Sequence, residues 1–149
     1  MHSAALGRDI RQVDRLIGHY AESHRHPTNV AIHWLCVPII VWCALALLWT
    51  IHPWLAVGAV LGALVYYLRL SLTFALTMAI YAGLCLASLT VVPHAGWIAL
   101  ALFVITWALQ FYGHHVEGKK PSFLEDLQYL LVGPIFLLAK LYRKLGIRY

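Results

Sequence analysis

The chain has 149 residues, of which 62% are hydrophobic and only 11% charged, and its formal net charge is +5. Soluble domains carry about 25% charged residues, so the composition excludes an ordinary water-surrounded globule and predicts a membrane protein. The Lys and Arg residues flank apolar blocks rather than forming a patch interleaved with aromatics, which excludes nucleic acid as a partner and favours membrane lipids with anionic headgroups.

Residues 8–24, RDIRQVDRLIGHYAESH, place Ile10, Val13, Ile17, Tyr20 and His24 at spacings of three and four, one face of a helix. Arg8, Arg11, Arg15, His19 and Glu22 fall largely elsewhere. This predicts an amphipathic helix lying on a membrane or on the rest of the protein, with His24 on its apolar stripe and His19 off it. Pro27 biases His26 away from helix, and Asn29 is the candidate N-cap of the next one. Membrane spans are then expected over 30–51, 54–68, 70–92 and 97–114, since about 20 apolar residues cross a bilayer. The first of these contains no Asp, Glu, Lys or Arg, and Pro38 is expected to kink it. His52-Pro53 and Pro93-His94-Ala95-Gly96 close the first and third spans. Over 122–145 the apolar run is interrupted by Gly133-Pro134 and bounded by Glu125-Asp126 and Lys140, predicting a broken helix at the interface or a re-entrant segment. Cys36, Cys43 and Cys85 lie in apolar runs without CxxC spacing and read as free buried thiols. The N-terminus lacks the short apolar core of a cleavable signal. Residues 1–149 thus read as one all-α membrane domain, a bundle of about four transmembrane helices with an amphipathic N-terminal helix and a broken C-terminal interfacial helix.

The charges support the count of spans. All eleven Lys and Arg residues lie before Val30, at Arg69, or after Tyr112. Four crossings place every one of them on a single side, which the positive-inside rule makes cytoplasmic together with both termini. Three crossings would divide them and strand Arg69. A bacterial inner membrane or the endoplasmic reticulum would suit such a chain.

Even parity also gathers histidines. His24 and His33 stand at the entry to the first crossing and His114 at the exit from the fourth, so all three reach the same membrane face. In WALQFYGHHVEGKKP, Trp107, Gln110, His114 and Glu117 share a helix face if the helix persists past Gly113. Imidazoles and a carboxylate converging there form a candidate first-row metal site with open positions. His2, His19, His52 and His94 read as interfacial polar residues, His26 as a loop residue, and His115 points about 100 degrees from His114. Glu117 has a blander alternative, an exposed pair with Lys120, and Lys119 and Lys120 suit lipid headgroups. No HExxH, phosphate loop or nucleophile elbow is present.

The blocks YAESHRHPTNVAIHWLCVP and WALQFYGHHVEGKKPSFLEDL together resemble a family of small membrane proteins, long labelled a domain of unknown function, that includes the fungal endoplasmic-reticulum 2-hydroxy fatty acid dioxygenase. The first block matches through Tyr20, His24, Pro27, Asn29, His33 and Pro38. The second matches through Trp107, Gln110, Phe111, Gly113, His114, Glu117 and Pro121, followed by Gly133-Pro134. The sequence departs from the fungal pattern between His114 and Pro121, where it is one residue shorter. The resemblance implies an Fe(II)-dependent dioxygenase that takes a 2-hydroxy fatty acid and O2 and releases a fatty acid one carbon shorter. It implies His24, His33 and His114 as iron ligands and catalytic centre, with Glu117 as a further ligand. It leaves Asn29 and Gln110 to orient ligands or substrate, and Arg25, Lys119 or Lys120 to attract the substrate carboxylate. Two other functions fit the same residues: a non-catalytic lipid- or partner-binding bundle, and a bis-histidine haem protein.

Overall fold

A computed structural model describes residues 11–119 and 129–149, and among these every regular element is a helix. The helices are α1 (Gln12–Ala21), α2 (Pro27–Ile51), α3 (Pro53–Leu70), α4 (Leu72–Leu89), α5 (Ala95–Glu117) and α6 (Val132–Leu145). Helices α2 to α5 are each long and apolar enough to cross a membrane. Their outer faces carry exposed leucine and isoleucine, among them Leu61, Leu76, Ile80 and Leu84, as hydrocarbon contact requires.

Prolines and histidines together set the helix starts. Asn29 is not the N-cap of α2. His26 caps it instead, in an extended conformation, its ring nitrogen accepting from the Thr28 N–H at 3.2 Å while Pro27 opens the helix. His52 repeats the arrangement at α3, accepting from the Trp54 N–H at 3.2 Å ahead of Pro53. A proline suits the first helical position because its missing N–H would have no intrahelical partner there. The α3–α4 connection is a single extended residue, Ser71, two residues beyond Arg69 where the charge pattern ended the second span. Helix α2 continues through Pro38, and the carbonyl of Pro38 accepts from the Tyr81 hydroxyl of α4.

Glycine sets the closest helix contacts, which join α2 and α5 along their length. A methyl added at Gly96 would meet the Thr50 Oγ1 at 2.5 Å, and one added at Gly113 would meet the Asn29 Oδ1 at 2.5 Å. These positions bracket the pair near its two ends, so small residues permit a close approach that packing then holds.

Helices α1 and α6 do not span. They pack on each other and cover one end of the bundle, with Val13, Ile17 and Tyr20 of α1 meeting Ile135, Phe136 and Tyr142 of α6 in one core. The amphipathic stripe of α1 is therefore spent on protein. Among the described residues a turn over 129–131 precedes α6, which carries Gly133-Pro134 in its first turn, where proline is tolerated, and runs from there to Leu145. Residues 8–10 and 122–128 of the sequence-predicted terminal elements lie outside the described residues. Cys36, Cys43 and Cys85 are free and buried.

The two glycine contacts are separable by experiment. Gly96→Ala and Gly113→Ala each lower the thermal midpoint in detergent, because overpacking costs about 1–3 kcal/mol. Only Gly113→Ala, which presses on Asn29 near His33, also weakens divalent metal binding; equal metal affinity in both variants would break the link between helix approach and site.

Candidate metal centre

His24, His33 and His114 come together in the covered end of the bundle. Each is at most 5% exposed. Their rings lie edge to face, with centroids 4.3 Å apart for His24 and His33, 5.1 Å for His24 and His114, and 5.3 Å for His33 and His114. One ligand atom from each lies within 4.8 Å of those from the others, and these three are the group among the described residues that could hold a metal ion.

Local sequence fixes two of the rings. The His24 Nδ1 donates to the Tyr20 carbonyl at 2.7 Å, and the His33 Nδ1 donates to the Asn29 carbonyl at 2.8 Å. Both partners lie four residues earlier, and a carbonyl only accepts, so each ring carries its proton on Nδ1 and turns its Nε2 lone pair inward. Those two Nε2 atoms face each other at 3.0 Å. Two lone pairs held at that distance repel unless a proton or a cation lies between them. Ligands at right angles on an ion with metal–nitrogen distances of about 2.1 Å stand about 3.0 Å apart. The pair thus fits adjacent positions on one metal ion, and an all-imidazole set suits a first-row divalent ion.

Aromatic rings wall the cluster. Tyr20 stacks on His24 with centroids 4.0 Å apart and planes 4° apart, and Phe136 tilts against both Tyr20 and His24. Burial pushes the His24 imidazole down to about 4, against a smaller raising effect from the Tyr20 carbonyl. The ring is thus held neutral, the form that binds metal.

Helix α5 runs through Gly113 to Glu117, so Trp107, Gln110, His114 and Glu117 share a face, the first three buried. The Glu117 carboxylate is engaged elsewhere than on the imidazoles. Its Oε1 accepts from the Arg25 N–H at 3.0 Å, and its Oε2 accepts from the His26 N–H at 2.6 Å and the Asn29 Nδ2 at 3.3 Å. Asn29 Nδ2 also donates to the Ser23 carbonyl at 3.1 Å. Glu117 and Asn29 thereby tie the segment carrying His24 to the end of α5. Gln110, one turn before His114, lines a small cavity with Tyr20, Trp107 and Gly133. The side chains of Arg25 and Lys119 are exposed, while Lys120 lies outside the described residues. His19, His26, His52, His94 and His115 are exposed and stand apart from the cluster.

Sequence reasoning assigned no role to Tyr20 or Phe136. Tyr20 was findable, since it precedes His24 by four on the same stripe. Phe136 was not, because its approach depends on how α6 folds over α1.

A family model described as 2-hydroxy-palmitic acid dioxygenase Mpo1-like matches residues 10–145. The chain belongs to the Mpo1-like family. It is 30% identical over 151 residues to the 2-hydroxy-palmitic acid dioxygenase MPO1 of Saccharomyces cerevisiae, covering 95% of this chain and 86% of that one. No solved structure matches. The match takes in all three histidines, both ends of the α2–α5 pair and α6 as far as Leu145, so Mpo1-like membership spans the whole site.

Two measurements probe the centre. Glu117→Ala frees the His24 segment while leaving the three imidazoles, and divalent metal affinity measured by titration drops about 10- to 100-fold, the range for residues that orient ligands. Unchanged affinity would show that the carboxylate clamp does not position His24. The second concerns pH. An unfolded histidine takes up its proton near 6.5 and folded His24 only near 4, so the metal-free protein loses stability as pH falls from about 6.5 toward 4, by roughly 3 kcal/mol. The slope of thermal midpoint against pH is correspondingly shallower in His24→Gln.

Proposed function

We propose that this chain is an Fe(II)-dependent dioxygenase that converts a 2-hydroxy fatty acid and O2 into a fatty acid one carbon shorter. The observation that carries the reading is the buried three-imidazole cluster with two inward lone pairs 3.0 Å apart, in a chain belonging to the Mpo1-like family. The yeast relative is a 2-hydroxy-palmitic acid dioxygenase, which supports the substrate class.

The stoichiometry needs no further reductant. Breaking the C1–C2 bond of a 2-hydroxy acid, with C2 becoming the new carboxyl carbon and C1 leaving as CO2, gives up four electrons. One O2 accepts them, and one water completes the balance. Fe(II) held by His24, His33 and His114 would supply the redox chemistry with O2 and a charge that attracts the substrate's polar end, and bringing both reactants to one site lowers the entropic part of the barrier.

The protein's own groups do the rest. His24, His33 and His114 hold the ion, the first two with tautomers set by the Tyr20 and Asn29 carbonyls. Tyr20 and Phe136 exclude water from one side. Gln110 offers its amide to the polar end of the substrate from the neighbouring cavity. Asn29 and Glu117 hold the His24 segment in register with α5. Arg25 and Lys119, with Lys120 beyond the described residues, draw the carboxylate out of the headgroup layer. The basic ends and Arg69 face the cytoplasm, in a bacterial inner membrane or the endoplasmic reticulum, and substrate enters from that leaflet.

The test is elemental analysis of detergent-purified protein beside turnover of 2-hydroxypalmitate. Near-stoichiometric iron is expected, lost in each of His24→Gln, His33→Gln and His114→Gln. Pentadecanoate and CO2 should form, stop on chelation and resume with Fe(II) but not with Zn(II). Absence of bound metal after anaerobic Fe(II) reconstitution would leave a non-catalytic membrane bundle, and a Soret band would mark a haem protein instead.

A further inference from the structure

One face of α2 leads away from the histidines. His33, Val37, Val41, Leu45 and Leu48 recur at spacings of four, four, four and three, which keeps them on one side of a helix. Val37 lines the small cavity beside Tyr20, Gln110 and Trp107. Val41, Leu45 and Leu48 line a second cavity of about 160 Å³ between α2, α3 and α4, partly open at its surface. Leu130 walls both cavities.

The two cavities differ in chemistry. The small one, about 20 Å³, has the Gln110 amide and the Tyr20 phenol in its lining. The larger one is lined by Ala, Val, Leu and Met, together with Tyr67. The Tyr67 hydroxyl is already committed, donating to the Leu131 carbonyl at 2.7 Å. A half-open lining of this kind, apolar throughout, favours hydrocarbon over water. Polar groups near the imidazoles and an apolar slot farther along the same helix face make the pattern of an amphiphile with one polar end.

We propose that the cavity between α2, α3 and α4 is the binding site for the distal part of the substrate's alkyl chain and sets which chain lengths are used; this rests on the dioxygenase reading above. The small cavity, about 20 Å³, cannot hold a chain as it stands, so a chain passing from it into the second cavity takes the place of the Leu130 side chain that lines both. Distance along α2 gives the length scale. At 1.5 Å per residue, Val41 lies about 12 Å and Leu48 about 22 Å along α2 from His33. An extended alkyl chain advances about 1.26 Å per carbon, given C–C bonds of about 1.52 Å. The slot therefore receives roughly the tenth to the eighteenth carbon of a chain whose carboxyl end lies at the histidines. A short 2-hydroxy acid never reaches it.

The experiment compares 2-hydroxyoctanoate with 2-hydroxypalmitate and 2-hydroxystearate, using the iron-loaded full chain in detergent. Ala63→Phe fills the slot from α3, and Leu48→Ala lengthens it from α2. Ala63→Phe should lower kcat/KM for 2-hydroxypalmitate at least about tenfold, the burial of two or more methylenes, and leave 2-hydroxyoctanoate within about twofold. Leu48→Ala should move the preference the other way, raising 2-hydroxystearate relative to 2-hydroxypalmitate. Iron content equal to wild type shows that each variant has folded, and Leu48→Ala decides the matter if Ala63→Phe does not. Equal effects on all three acids, or none in either variant, would overturn the slot while leaving the dioxygenase intact. Failure of the iron-loaded wild type to consume any of the three would overturn the dioxygenase reading itself.

Discussion

The close pairing of α2 with α5 is the constraint on which the rest of this molecule depends. One helix carries His33 near its start and the other carries His114 near its end, and their separation is set where Gly113 meets Asn29. A methyl group there would push against an amide whose other atoms already hold Ser23 and Glu117. A bilayer offers little hydrophobic drive between helices, since lipid tails are as apolar as leucine. Shape and a few polar contacts must therefore do what burial does in water, and they are concentrated at this end of the pair.

The remaining elements serve that pair in different ways. Helices α3 and α4 form a hairpin joined at Ser71, and their outward faces are committed to lipid. Helices α1 and α6 bury apolar stripes against each other over the imidazoles, and α1 delivers the Tyr20 carbonyl and ring to His24. Glu117 joins the two halves by accepting three hydrogen bonds from the Arg25–Asn29 segment. A carboxylate given to backbone N–H groups cannot at the same time approach an ion freely, so its value here lies in holding together imidazoles that lie far apart in the chain.

Much of this was legible in the sequence because membranes simplify the code. Uncharged apolar runs announced the spans, and the placement of every Lys and Arg gave an even count that brought His24, His33 and His114 to one face. Spacing of three and four then separated Tyr20 and His24 from His19, and His114 from His115. Other features were hidden for physical reasons. The cap of α2 was assigned to Asn29 because asparagine is the commoner capping residue, yet Pro27 fixes the first helical position and leaves the role to His26. Gly133-Pro134 marked the place where the C-terminal helix begins, since α6 starts at Val132 after a turn over 129–131. The walls formed by Phe136 and Leu130 arise from long-range docking.

The order of the three histidines along the chain has a consequence for biogenesis. His24 and His33 emerge from the ribosome before the first crossing is complete, whereas His114 follows the last. A nascent chain therefore holds at most two imidazoles of the set through three insertion events, and only correct placement of the final span adds the third. If the three imidazoles hold one ion, as proposed, a chain that stops short of the last span, or crosses only three times, lacks His114 at that face and holds the ion less tightly.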